Sequence, residues 1–144
     1  MSARIRRGSQ QAIHVTKTIA FDGTAGNGAV GTVTVFTLTG RVWLAGLSAF
    51  CTETLAGNTA TVSLGVASVV AGLVPVTTGT DLAANDWWID ATPAEIGIAA
   101  VAASQKDQLL SQSVIVNVLV AGVTDGTLVI DAWYLPVTSN GALS

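Results

Sequence analysis

Three carboxylates and two indoles fall within one short stretch: Asp81, Asp86, Trp87, Trp88 and Asp90. Indole faces stack on sugar rings while carboxylates accept from hydroxyls, so this loop could hold a glycan. Carboxylate oxygens also bind Ca²⁺, although this spacing departs from the EF-hand loop. A glycosidase would need two facing carboxylates, which neighbouring loop aspartates do not establish. The reading with most support is structural: one indole plugs the end of the fold and the other enters a subunit contact. Asp86, Trp87, Trp88 and Asp90 are therefore the candidate interface or ligand loop.

The other candidates carry less. His14 is the sole histidine, and no nucleophile elbow accompanies it, so it reads as a surface or interface residue. Cys51 is the sole cysteine and lies beside Phe50 in an apolar run, where a thiol behaves as a small hydrophobe. One histidine and one cysteine do not make a zinc site. Gly26-Asn-Gly-Ala-Val-Gly31 matches the dinucleotide-binding pattern, but it opens Thr32-Val-Thr-Val rather than a helix. Without a helix N-terminus the phosphate has nothing to bind, and the glycines read as a turn. No cofactor and no metal is expected. Asp131 shares a strand phase with Val129 and Trp133; if that face is dry it needs a partner, and Arg41 is available.

The elements that must position these residues are strands. Gly31 to Gly40 alternates Thr with apolar residues, Arg41 to Cys51 follows, and Thr59 to Val66 alternates again. Period two marks a half-buried strand, and the intervening turn residues suggest a three-strand antiparallel meander from Ala29 to Val66. Val33 and Val35 share one phase while Phe36 and Leu38 take the other, which predicts a β-bulge or a change of sheet near Val35. Ala12 to Phe21 is a first strand. Ala67 to Val76, broken by Gly72 and Pro75, belongs at a sheet edge. Thr92-Pro-Ala-Glu95 has the form of a capping box and predicts a turn or two of helix. Ser113 to Ala121 is apolar on both phases, as a central strand would be, and Asp125-Gly126 signals a hairpin into Thr127 to Leu135. The fold class is all-β: an antiparallel β-sandwich, of which the jelly roll is one form, with at most one short helix near residues 92–104.

With 144 residues the chain fits one domain, over 12–137, between a basic arm at 1–11 and a polar tail at 138–144. Hydrophobic residues make up 50% and charged residues only 10%, against about 25% charged in ordinary soluble domains. Such a surface is either built of Thr, Ser, Ala and Gly or covered by neighbouring copies, and a homo-oligomer is the expectation. A membrane span does not explain the composition, because the longest uncharged run, Thr54 to Thr80, is broken repeatedly by Gly, Pro and hydroxyl residues. Arg4, Arg6 and Arg7 flank Ile5 at the start; after them, three basic groups face nine acidic ones. That arm reads either as a solvated, disordered terminus or as a segment that docks on an acidic protein surface. It is a thin footprint for nucleic acid and has no apolar stretch of a secretory signal.

Gly31 to Val42, Asn85-Asp-Trp-Trp-Ile-Asp-Ala-Thr-Pro93 and Ala132-Trp-Tyr-Leu-Pro-Val-Thr-Ser-Asn-Gly-Ala-Leu143 resemble small β-rich virion proteins of tailed bacteriophages. The resemblance runs from about Thr16 and carries no catalytic motif. It implies a non-enzymatic capsid decoration or cement protein, often trimeric, that binds the major capsid protein and bridges capsomers. Such a protein is assembled in the host cytoplasm and resides on the virion surface. A tail-tube or fibre component, and a glycan-binding module built on the tryptophan loop, are the alternatives.

Overall fold

The computed structural model describes residues 11–144; Arg4, Ile5, Arg6 and Arg7 lie outside the described residues. The strands are β1 (Ile13–Ala20), β2 (Gly31–Phe36), β3 (Leu38–Thr39), β4 (Val42–Ala56), β5 (Thr61–Val66) and β6 (Val69–Thr78). Beyond them come β7 (Asp86–Trp87), β8 (Glu95–Ile96), β9 (Lys106–Leu110), β10 (Val114–Leu119), β11 (Asp125–Pro136) and β12 (Ala142–Leu143).

One sheet runs β1-β11-β4-β7-β8, with β9 also on β4; the second runs β2-β10-β5-β6, and β12 pairs with β3 alone. All the pairings between these strands are antiparallel. Among the eight long strands, the first pairs with the last (β1–β11), the second with the seventh (β2–β10), the third with the sixth (β4–β9) and the fourth with the fifth (β5–β6). This nested pairing is one long hairpin wound around a sandwich, which is the jelly-roll topology.

That winding overturns the meander. β2, β4 and β5 follow one another among the long strands, yet β4 lies in the six-stranded sheet and the other two in the four-stranded sheet. The turn residues between them are crossovers between layers. The bulge is where the phase shift put it: Val114 faces Phe36 and Ile115 faces Thr34, which leaves Val35 as the extra residue. β6 is an edge strand, and the Pro75 irregularity falls between the Val74 and Thr77 pairings. β10 is central, between β2 and β5.

Three further expectations are corrected. Asp125-Gly126 makes no hairpin, because β10 and β11 belong to different sheets. Gly126 serves close approach instead: it has φ +104°, and a Cβ there would lie 2.6 Å from Cα of Leu55 on β4. Thr92 caps no helix. Its N–H donates to Oδ1 of Asp90 at 2.9 Å, and Glu95 enters β8 opposite Trp87. The local Asx interaction competes with the helix and wins; the helical turn of this region is a 3₁₀ turn at Ala103–Gln105. The C-terminal segment is no free tail: β12 closes on β3, Leu143 is buried, and Thr37 and Ser144 exchange backbone hydrogen bonds.

The core lies between the sheets. Leu44, Leu47, Leu128 and Ile130 from one sheet meet Val62, Leu64, Val114 and Val116 from the other in a single buried cluster. Burial of each such side chain contributes about 1.5–3 kcal/mol. β11 shows the alternation best: Leu128, Ile130, Ala132 and Tyr134 point inward, so Val129, Asp131, Trp133 and Leu135 face outward.

Candidate functional site: an aromatic groove on the outer sheet face

Trp87 and Trp88 are neighbours on an extended segment, so their side chains point to opposite sides. Trp88 goes inward and is fully buried. Its N–H donates to the Ala49 carbonyl at 2.8 Å, and its Nε1 donates to Oγ1 of Thr77 at 2.8 Å. Thr77 stands on β6, so this bond ties the two sheets. Gln105, also fully buried, donates through Nε2 to the Trp88 carbonyl at 3.1 Å. Asp86 is buried as well, with Oδ2 accepting from the Ala83 N–H at 3.0 Å. Of the four loop residues singled out by sequence, Trp88 and Asp86 hold the fold and have no surface to offer. Asp90 remains half-buried and engaged with Thr92.

Trp87 goes outward. It packs on Phe50 of β4 with ring centroids 4.6 Å apart and planes inclined by 57°. Register places further aromatic residues on the same face. His14, Trp133 and Gly46 form one row across β1, β11 and β4; Thr16, Asp131 and Ser48 form the next; Thr18, Val129, Phe50 and Trp87 form a third. A fourth row joins Leu135, Trp43 and Leu109. The imidazole of His14 stacks on Trp133 at 4.9 Å, and its Nε2 donates to Oδ1 of Asp131 at 2.7 Å. Arg41 is therefore not the partner of Asp131. Asp131 faces outward on β11, beside the edge strand β1, so His14 reaches it directly.

Trp87 and Trp133 line a groove of about 340 Å³ together with Gly46, Ser48, Ile89, Ala99 and Val101. No neighbouring atom lies within 4 Å of where a Gly46 Cβ would stand, so the missing side chain gives the groove its depth. The lining is mainly apolar. Its polar side chains are Ser48 and Gln105, and Gln105 is already engaged with the Trp88 carbonyl. Trp133 is exposed by more than a third, as is Trp43 in the adjoining row; Leu109 in that row is exposed by 78%, and Ile98, next to Ala99 in the chain, by 86%.

His14, Asp131 and Ser48 share the face, but across the strands Asp131 lies between the other two. In a nucleophilic triad the imidazole occupies that middle place. Among the described residues, no group of three or more His, Cys, Asp or Glu is placed to hold a metal ion. Cys51 is fully buried, and its Sγ donates to the Glu53 carbonyl at 3.1 Å. Burial pushes its thiol up to about 11, away from the thiolate a nucleophile needs.

Sequence reasoning missed Trp133, Trp43, Phe50 and Gly46 as members of one surface. The strand phase of β11 carried the signal for Trp133. The others require the register of β4 against β11, including the bulge that leaves Ala45 unpaired. Comparison with family models, with curated proteins and with solved structures finds no match to this chain.

Proposed function

We propose that this chain is a non-enzymatic structural protein of a tailed-bacteriophage virion that decorates the capsid. In this reading it binds the major capsid protein on the outer shell, as a homo-oligomer of trimer type, and cements neighbouring capsomers. The observation that carries the reading is the outer face of the six-stranded sheet. A strand-supported surface presents Trp43, Trp133 and Leu109 to solvent beside a half-buried Trp87, in a chain with only 10% charged residues. Exposed apolar patches of this kind mark interaction surfaces, and aromatic residues anchor interfaces. Jelly rolls recur in viral capsid domains and in lectins, which adds support by analogy. Binding to the folded shell adds to its stability by mass action.

The test is the mass of the purified chain by light scattering and its sedimentation with empty capsids. A stable oligomer that pellets with shells and raises their melting temperature is the expected result. A monomer that stays in the supernatant ends the reading. Electron microscopy separates the tail alternatives, since a tube component stacks into rings and a fibre component forms an elongated trimer.

A glycan-binding reading draws on the two indoles that flank the groove. It places the sugar between Trp87 and Trp133 instead of on Trp88, and predicts saturable quenching of tryptophan emission by sugars, lost in Trp87→Ala. The scarcity of polar groups in the groove weighs against it, since sugar recognition needs several hydrogen bonds.

A further inference from the structure

We propose that the groove between Trp87 and Trp133 seats the Arg4-Ile5-Arg6-Arg7 segment of a second copy of this chain. The inference rests on the reading of the outer sheet face as an assembly surface, and adds to it the occupant and the pocket.

The groove itself sets the chemistry of what fits. Two indole walls, the aliphatic side of Ile89 and Val101, and the empty position above Gly46 leave room for a branched aliphatic side chain, not for a polar group. Two carboxylates stand beside the lining: Asp131 is in register with Ser48, and Glu95 with Trp87. Lys106 stands in register with Gly46, and His14 is engaged with Asp131. An occupant that complements this site carries an apolar residue flanked by cations. The sequence offers one isoleucine directly between arginines, Ile5, and from residue 8 onward acidic groups outnumber basic ones nine to three.

The chain's own geometry makes the exchange reachable. The described fold starts at the groove's rim: β1 begins at Ile13, and His14 lies against Trp133. Crossing from β1 over β11 to β4 takes two strand spacings, about 10 Å. Eight residues from Ile5 to Ile13 can extend about 26 Å. Copies that meet at this face thus place each segment within reach of a neighbour's groove, and a closed symmetric ring uses every groove once. A second copy also explains the exposed Trp43, Leu109 and Ile98 around the groove, which a segment folded onto its own copy would leave in water.

The experiment compares the full chain with two full-length variants, Arg4→Glu/Arg6→Glu/Arg7→Glu and Gly46→Leu, by light scattering. It also titrates a synthetic peptide of residues 1–10 into the triple-glutamate chain while tryptophan emission is followed. Leu at position 46 enters open space, and near-ultraviolet circular dichroism verifies its fold; Val101→Asp is the second groove variant. The expected result is an oligomer for the full chain and monomers for all the variants. Peptide binding to the triple-glutamate chain is saturable and at least tenfold weaker once Gly46→Leu is added. Oligomers that survive both groove variants overturn the proposal. So does peptide binding that Gly46→Leu leaves unchanged, or a full chain that is monomeric while the peptide binds, which would put the segment on its own copy. Sedimentation with capsids is a separate readout: failure to pellet ends the virion reading and leaves the groove result standing.

Discussion

At the scale of single residues, the bond between Trp88 and Thr77 joins the two sheets in the dry interior. Thr77→Val keeps the shape and removes the acceptor, leaving an indole N–H unpaired; the expected cost is about 1–3 kcal/mol, read from denaturant midpoints, with Thr77→Ser closer to the parent. Cys51 gives a pH dependence. Its thiol keeps its proton in the folded state up to about 11, whereas in the unfolded chain it loses it around the ordinary 9.0. Between those values the unfolded state binds fewer protons, so stability falls as pH rises, by up to about 1.4 kcal/mol per pH unit from this group. Unfolding curves from pH 8 to 11 should show the slope, and Cys51→Ala should lose it. The sequence made the division of labour between Trp87 and Trp88 legible, since neighbours on a strand point opposite ways. Which one turns inward depends on Thr77 and Gln105, distant residues that no local pattern connects to them.

At the scale of elements, alternation marked nearly every long strand but not its neighbours. Period two states which face of a strand is dry and is silent about which strand lies beside it. The Ala29 to Val66 stretch therefore looked like a meander, and Asp125-Gly126 like a hairpin, although Gly126 is there to admit Leu55. The capping box failed because Asp90 took the Thr92 N–H first. The segment after β10 holds a feature with no sequence signal. Val120 has φ +72° and is exposed, and around it the Ala121 N–H donates to the Leu119 carbonyl at 2.9 Å. This is a strained γ-turn for a β-branched residue. Val120→Gly relieves the strain without loss of packing and should raise stability by about 1 kcal/mol, visible as an upward shift in melting temperature. β12 is short and polar around Leu143, so nothing local marks it as a strand. Leu143→Ala should cost about 2 kcal/mol or more in denaturant unfolding, where a loose tail would cost nothing.

At the scale of the molecule, the nested hairpin makes the longest-range contacts the outermost ones. The His14–Asp131 bond spans 117 positions of sequence. Closing such loops precedes any gain from the contacts they bring, so refolding should take milliseconds to seconds, not microseconds, when followed by tryptophan fluorescence in stopped flow. The same topology has a mechanical side. Ile13 at the start of β1 lies opposite Tyr134, near the end of β11, so the two chain ends leave the ladder from the same side. Tension applied between the ends, once β12 has parted from β3, loads the β1–β11 hydrogen bonds one after another, as a zipper opens. Resistance to force along that axis is low, however stable the core. Load pressed across the two sheet faces instead meets the whole packed interior at once, and that is the direction in which this fold is strong.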